Sequence, residues 1–161
     1  MSRSIKTQLK TWLVGSKKVA VIGIGNPIRT DDYVGSKIVE DLKSKVGANV
    51  LLLEAETVPE SYLSDIEEFH PSHVLLIDAA VTGLKPGEAT LVDADKIADT
   101  SAVTTHLFPL RVFCELVRQT TGARIGLLLI EPENLEFGEG LTARVRASSD
   151  RLVKILIRIL G

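Results

Sequence analysis

The chain has 161 residues, 45% hydrophobic and 25% charged, which supports one substantial core and excludes a disordered polymer. A formal net charge of -2 supplies no global positive field for nucleic acid, and the small basic clusters near Lys17 and from Arg144 to Arg158 read as solvated faces. The one cysteine, Cys114, excludes an internal disulfide or a CxxC motif, and no segment reaches the roughly 20 apolar residues of a membrane span.

In chain order, the N-terminal segment predicts a short amphipathic helix with Ile5, Leu9, Trp12 and Leu13 on one side. It has no continuous signal-peptide apolar region and no clear cleavage site, so a cytoplasmic protein is expected. Residues 18–24 (KVAVIGI) form the first strand, a continuous apolar run of the kind covered on both faces. The Gly25-Asn26-Pro27 loop breaks it, and Asp31 and Asp32 precede a helix carrying Val34, Ile38, Val39 and Leu42 at 3.6-residue spacing. A second strand covers 49–54 (NVLLLE), a helix starts at Pro59, and a third strand covers 73–78 (HVLLID) and ends in Asp78.

This β-α-β-α-β order implies parallel pairing through right-handed crossovers. The alternation then pauses at a turn built from Gly83, Pro86 and Gly87. A short extra strand at 88–92, a short helix at 93–98 and a polar loop at 100–105 are expected next. They lead to an apolar helix over 107–119, where Cys114 in FCELV reads as core. A last core strand covers 124–130 (RIGLLLI), an acidic irregular loop covers 132–140, and a long amphipathic helix runs to Leu160. The fold expected is α/β, a three-layer arrangement with a mostly parallel twisted sheet between helices. It forms a single domain over 1–161, with 1–17 as an N-terminal extension.

Ligands of open α/β sheets lie beyond the carboxyl ends of the strands, where the strand order reverses. Asp31 and Asp32 follow the first strand and Asp78 ends the third, so a sheet beginning 2-1-3 brings these acids to one crevice. His106 lies in the loop before the helix at Leu107, within reach of the same edge. Two carboxylates and an imidazole suit a borderline divalent metal such as nickel or zinc and leave coordination positions open. Each residue also has a plainer use: an Asp after a strand caps helices or satisfies loop amides, and a lone His is commonly a hydrogen-bonded surface residue. His70 and His73 receive no chemistry. The segment GIGNPI at 23–28 has two glycines after a strand, but Ile28 stands at the third glycine position of a dinucleotide fingerprint. Pro27 also removes an amide that a pyrophosphate needs.

Four separated segments carry a more specific signal. GIGNPIRTDDYVG resembles the opening signature of the hydrogenase maturation proteases, and LLIDAAVTGLKPGE, TTHLFPL and IEPENLEFGEGLT follow in that family's order. The resemblance runs from about Val19 to the C-terminus, and the middle segments look closest to the hydrogenase 3 type. It implies an aspartic-type endopeptidase activity that removes a C-terminal extension from a [NiFe] hydrogenase large-subunit precursor after nickel insertion. The acids and histidine that read the metal are, by the same resemblance, Asp32, Asp78 and His106, with Asp31 as a support and Asn26 ordering the loop. The nickel is expected to arrive with the precursor, leaving the site empty at rest. A non-catalytic nickel-binding maturation chaperone would use the same three residues, and a nucleotide module would use Gly23 and Gly25.

Overall fold

The computed structural model describes residues 3–99 and 107–161, without the side chains of 97–99 and 107–109. Five strands, β1 (Val19–Ile24), β2 (Val50–Glu56), β3 (His73–Ala79), β4 (Ala89–Asp93) and β5 (Arg124–Ile130), form one sheet in the order β2-β1-β3-β5-β4. β2, β1, β3 and β5 are parallel, and β4 joins the edge antiparallel to β5. The register is level: Val19 lies opposite both Val50 and His73, and His73 lies opposite Arg124. All four parallel strands therefore deliver their carboxyl ends to one edge.

Residues of the two central strands are buried throughout, as their uninterrupted apolar runs predict for strands covered on both faces. Their side chains alternate between two cores. Val19, Val21, Leu75, Ile77 and Leu128 face one core, built with α1 (Ile5–Trp12), α2 (Val34–Leu42) and α5 (Ala143–Leu160). Ala20, Ile22, Leu76 and Leu127 face the other, under α3 (Leu63–Phe69) and α4 (Leu107–Thr121). The result is the three-layer α/β arrangement read from the chain, with a mostly parallel sheet at its centre.

Two helical stretches differ from the expected form. The helix starting at Pro59 begins as a 3₁₀ turn, Pro59–Tyr62, before α3, and the short helix after β4 is a 3₁₀ segment, Ala94–Asp99. Both are too short to repay the nucleation of an α-helix and take the tighter form common at helix ends and connections. The expected loop at 100–105 lies outside the described residues.

The N-terminal segment is packed into the fold. Ser4 caps α1 by accepting the Thr7 amide, and Leu9 and Trp12 bury the apolar side. The indole lies over Gly126 of β5, where an added Cβ would sit 2.8 Å from the ring. It meets the His73 ring edge to face at 5.1 Å. Gln8 accepts the Leu91 amide of β4, satisfying a backbone group on the edge strand. No described helix is long and apolar enough to cross a membrane.

Candidate active site at the carboxyl edge of the sheet

The order of the sheet reverses between β1 and β3, because β1 leads outward to β2 while β3 leads to the opposite side. The crevice beyond that switch point is where open α/β folds bind ligands. Here the entry to α2 is pressed onto the strand ends. A Cβ on Gly35 would lie 2.0 Å from the Ile77 carbonyl oxygen and 2.4 Å from that of Ile24, so only glycine allows this approach. Gly25 stands under the same restriction, with a Cβ position 2.0 Å from the Asp32 carbonyl oxygen.

Between these glycines the chain makes a 3₁₀ turn, Thr30–Tyr33, which carries both acids and contacts β3. Asp32 is buried, and its Oδ2 accepts the Asn26 amide at 3.1 Å. Asn26 in turn uses Oδ1 to accept the Ile28 amide at 3.1 Å, so it orders the loop as an Asx turn. Asp78 is fully buried at the next-to-last position of β3, and its Oδ1 accepts the Ala79 amide at 2.9 Å. Strand alternation directs it to the α3 and α4 side of the sheet, since Ile77 and Ala79 on either side belong to the opposite core. The helix that packs on that side, α4, is the one that His106 directly precedes in sequence.

Asp31 has a different use. It is fully buried and accepts hydrogen bonds from the amides of Glu133 at 2.9 Å, Asn134 at 3.0 Å and Thr142 at 2.8 Å. The Thr142 hydroxyl donates to it as well. Thr142 is the N-cap of α5, so the carboxylate also meets the positive end of that helix. Thr30 beside it sits at φ 49°, a left-handed conformation that is unfavourable for a β-branched residue. Its hydroxyl donates to the Glu136 carbonyl at 2.7 Å and its amide to that of Gly138 at 3.0 Å, holding the strained turn in place. A second buried carboxylate, Glu131, closes the loop after β3 by accepting from the Thr82 amide and hydroxyl and from the Leu84 amide.

The chain is similar to known proteins over most of its length. Residues 36–159 match the hydrogenase maturation protease family. A Methanocaldococcus jannaschii protein carrying that family's name is 32% identical over 97% of this chain and 96% of its own. The chain belongs to the hydrogenase maturation protease family. The Escherichia coli hydrogenase 3 maturation protease is 29% identical over 76% of this chain and 78% of its own. A [NiFe] hydrogenase maturation protease from Thermococcus kodakarensis, known from a crystal structure, superposes with a TM-score of 0.87 at 31% identity, covering 95% of this chain and 98% of that one.

Asp32 lies in the turn after β1 and Asp78 near the end of β3, both at the carboxyl edge of the sheet, whereas His106 lies outside the described residues. Among the described residues no set of three His, Cys, Asp or Glu side chains is arranged to hold a metal. The two carboxylates present hard oxygen donors, which with one imidazole fit a borderline cation such as nickel. Asp31 directs its hydrogen bonds into the loop at 131–142, so its contribution is to position the turn. This is the plainer use that the sequence offered for an Asp after a strand, satisfying loop amides, although its partners and the Glu131 clamp were not read there. The one available signal was two acids in succession before a helix, which does not reveal partners about a hundred residues away. The turn after β1 presents buried carboxylates at the entry to α2, where a pyrophosphate requires amides, so the geometry disfavours a nucleotide. Cys114 is buried in the α4 core, where burial pushes its thiol up to about 12.

Proposed function

We infer that this protein is a cytoplasmic endopeptidase that removes the C-terminal extension of a [NiFe] hydrogenase large-subunit precursor once nickel has been inserted. The observation that carries this reading is the pair of buried carboxylates, Asp32 and Asp78, at the β1/β3 switch point of a hydrogenase maturation protease fold. His106, in the TTH segment before α4, completes the set.

Nickel enters this scheme as part of the substrate. Asp32, Asp78 and His106 read an ion already held by the precursor, and recognition positions the scissile peptide in the crevice. Water attacks the peptide carbonyl, a proton passes to the leaving amine and the C–N bond breaks. A carboxylate of the site or the substrate's metal activates that water. Few, weak ligands suit this task, because a site that retained nickel tightly would respond equally to loaded and empty precursors.

The test is incubation with nickel-loaded and nickel-free precursor, followed by mass spectrometry of the product. The expected outcome is a shortened large subunit from the loaded form only. Asp32→Asn and His106→Ala should each abolish the shortening while leaving the circular dichroism spectrum and melting temperature near those of the wild type. Full activity in either variant would refute the assignment. Tight complex formation with an uncut precursor would instead identify a nickel-sensing chaperone.

A further inference from the structure

Among the described residues, eight large apolar side chains are exposed, and five of them lie on loops that leave the carboxyl edge of the sheet. Ile28 follows β1, Val58 follows β2, Val81 and Leu84 follow β3, and Phe137 follows β5. Phe137 is the extreme case at 84% exposed, and Ile28 is 53% exposed. Exposed apolar residues scattered singly require no explanation, but a concentration on one edge marks an interaction surface.

The loops are held together. Gly138 and Ile28 are joined by the Gly138 amide and the Ile28 carbonyl at 2.9 Å, which sets Phe137 beside the β1 loop. The Arg29 Nε donates to the Leu135 carbonyl at 3.2 Å, and these two residues line an open groove with Glu136 and Phe137. Asp31 and Glu131 fix the remaining loop backbone from below. An exposed aromatic side chain on such a braced backbone can bind with little ordering cost.

We propose that this edge is a docking surface for an apolar, positively charged stretch of the precursor, with Phe137 and Ile28 as its anchors. The proposal rests on the functional reading above and adds how the precursor is gripped outside the reacting groups. Two observations select the occupant. The first is continuity: Asp32 and Ile28 belong to one loop, tied through Asn26, so a chain reaching the carboxylates from solvent passes this edge. The second is charge. The loop at 131–142 exposes Glu133, Glu136 and Glu139 and carries no Lys or Arg. Across the loops after the four parallel strands, the described cations are the exposed Lys85 and the half-buried Arg29. Against them stand exposed Glu88, Glu133, Glu136 and Glu139, with Glu56 at the end of β2, so acids remain in excess on this edge. A second copy presenting the same edge would oppose acid to acid, which disfavours a symmetric dimer there.

The experiment measures binding separately from cleavage, by calorimetry of the full chain with nickel-loaded precursor and by mass spectrometry of the same samples. Phe137→Ser and Ile28→Ser should each weaken binding about 10-fold, the scale of an interface anchor. Val112→Ser and Leu116→Ser on the exposed side of α4 should bind as the wild type does. Replacing Glu133, Glu136 and Glu139 together with glutamine should flatten the loss of affinity with added salt. Wild-type affinity in both Phe137→Ser and Ile28→Ser would overturn the proposal. So would a dimer in sedimentation that Phe137→Ser dissociates, since the edge would then serve self-association. Binding without cleavage by the wild type would refute the protease reading while supporting the docking surface.

Discussion

At the residue scale, Asp31 and Asp32 show how adjacent identical side chains acquire different work. Both are buried, yet Asp31 gathers donors at sequence separations of 102, 103 and 111, while Asp32 accepts from Asn26 only six residues away. Only the closed fold reveals the distant set, because local pattern carries no information about which loop will return to a turn. Removing the Asp31 carboxylate leaves three amides and a hydroxyl without their acceptor. Each buried unsatisfied donor costs about 1–3 kcal/mol, partly relieved by water in the shortened side chain's space. Asp31→Ala should therefore lower unfolding stability by roughly 2–4 kcal/mol in urea titration. A loss below about 0.5 kcal/mol, the usual scatter of surface substitutions, would show that the loop does not depend on it. Cys114 allows a second check. Burial raises its thiol from 9.0 to about 12, so the folded state favours the neutral form. That contribution to stability is complete below pH 9.0 and is lost as pH climbs toward 12. A disulfide reagent at pH 8 should leave the native thiol unmodified and titrate one thiol after denaturation.

At the element scale, the strands were legible because β1, β3 and β5 are apolar runs bounded by turn residues, and burial on both faces removes any alternation that could be misread. Helices α2 and α5 were legible from their periodicity. The sequence described the N-terminal segment as an extension, and its place in the core depends on a notch that no local pattern advertises. Trp12 fits over Gly126, more than a hundred positions away, and a side chain on that strand residue would close the notch. His73 secures the same junction: its ring packs against the Trp12 indole, and its Nδ1 lies 2.9 Å from the Ser72 hydroxyl. Burial, aided by the Arg124 guanidinium, depresses the His73 imidazole below 6.5, with a weaker opposing effect from a hydrogen bond to the Trp12 backbone. A depressed histidine contributes stability that is present above the unfolded value of 6.5 and is lost as pH falls through the folded value. The urea midpoint should therefore fall between pH 7.5 and pH 5.5, and His73→Gln should reduce that fall. An unchanged pH dependence in the variant would remove His73 as its source.

At the scale of the whole molecule, the sequence made a shared crevice conditional on a sheet beginning 2-1-3, and the observed order β2-β1-β3 with parallel pairing meets that condition. That order puts Asp32, after β1, and Asp78, near the end of β3, on one edge of the sheet. What the sequence could not anticipate is the long return of the 131–142 loop from β5 to the turn after β1, where Arg29 and Gly138 form one parallel bridge and the Thr30 hydroxyl donates to the Glu136 carbonyl. The molecule thus has a buried interior of central strands and a carboxyl edge of loops braced by two buried carboxylates, Asp31 and Glu131. This division makes a prediction for amide hydrogen exchange. Amides of β1, β3 and β5 should exchange slowest, since they open only with the global transition, and those of 80–84 and 132–142 should exchange by local opening. Adding nickel-loaded precursor should slow exchange at 26–32, 80–84 and 132–142 while leaving the amides of α4 near Val112 unchanged. Protection confined to α4, with the carboxyl edge unaffected, would mean that the precursor docks on that helix and not on the loops that carry Ile28 and Phe137.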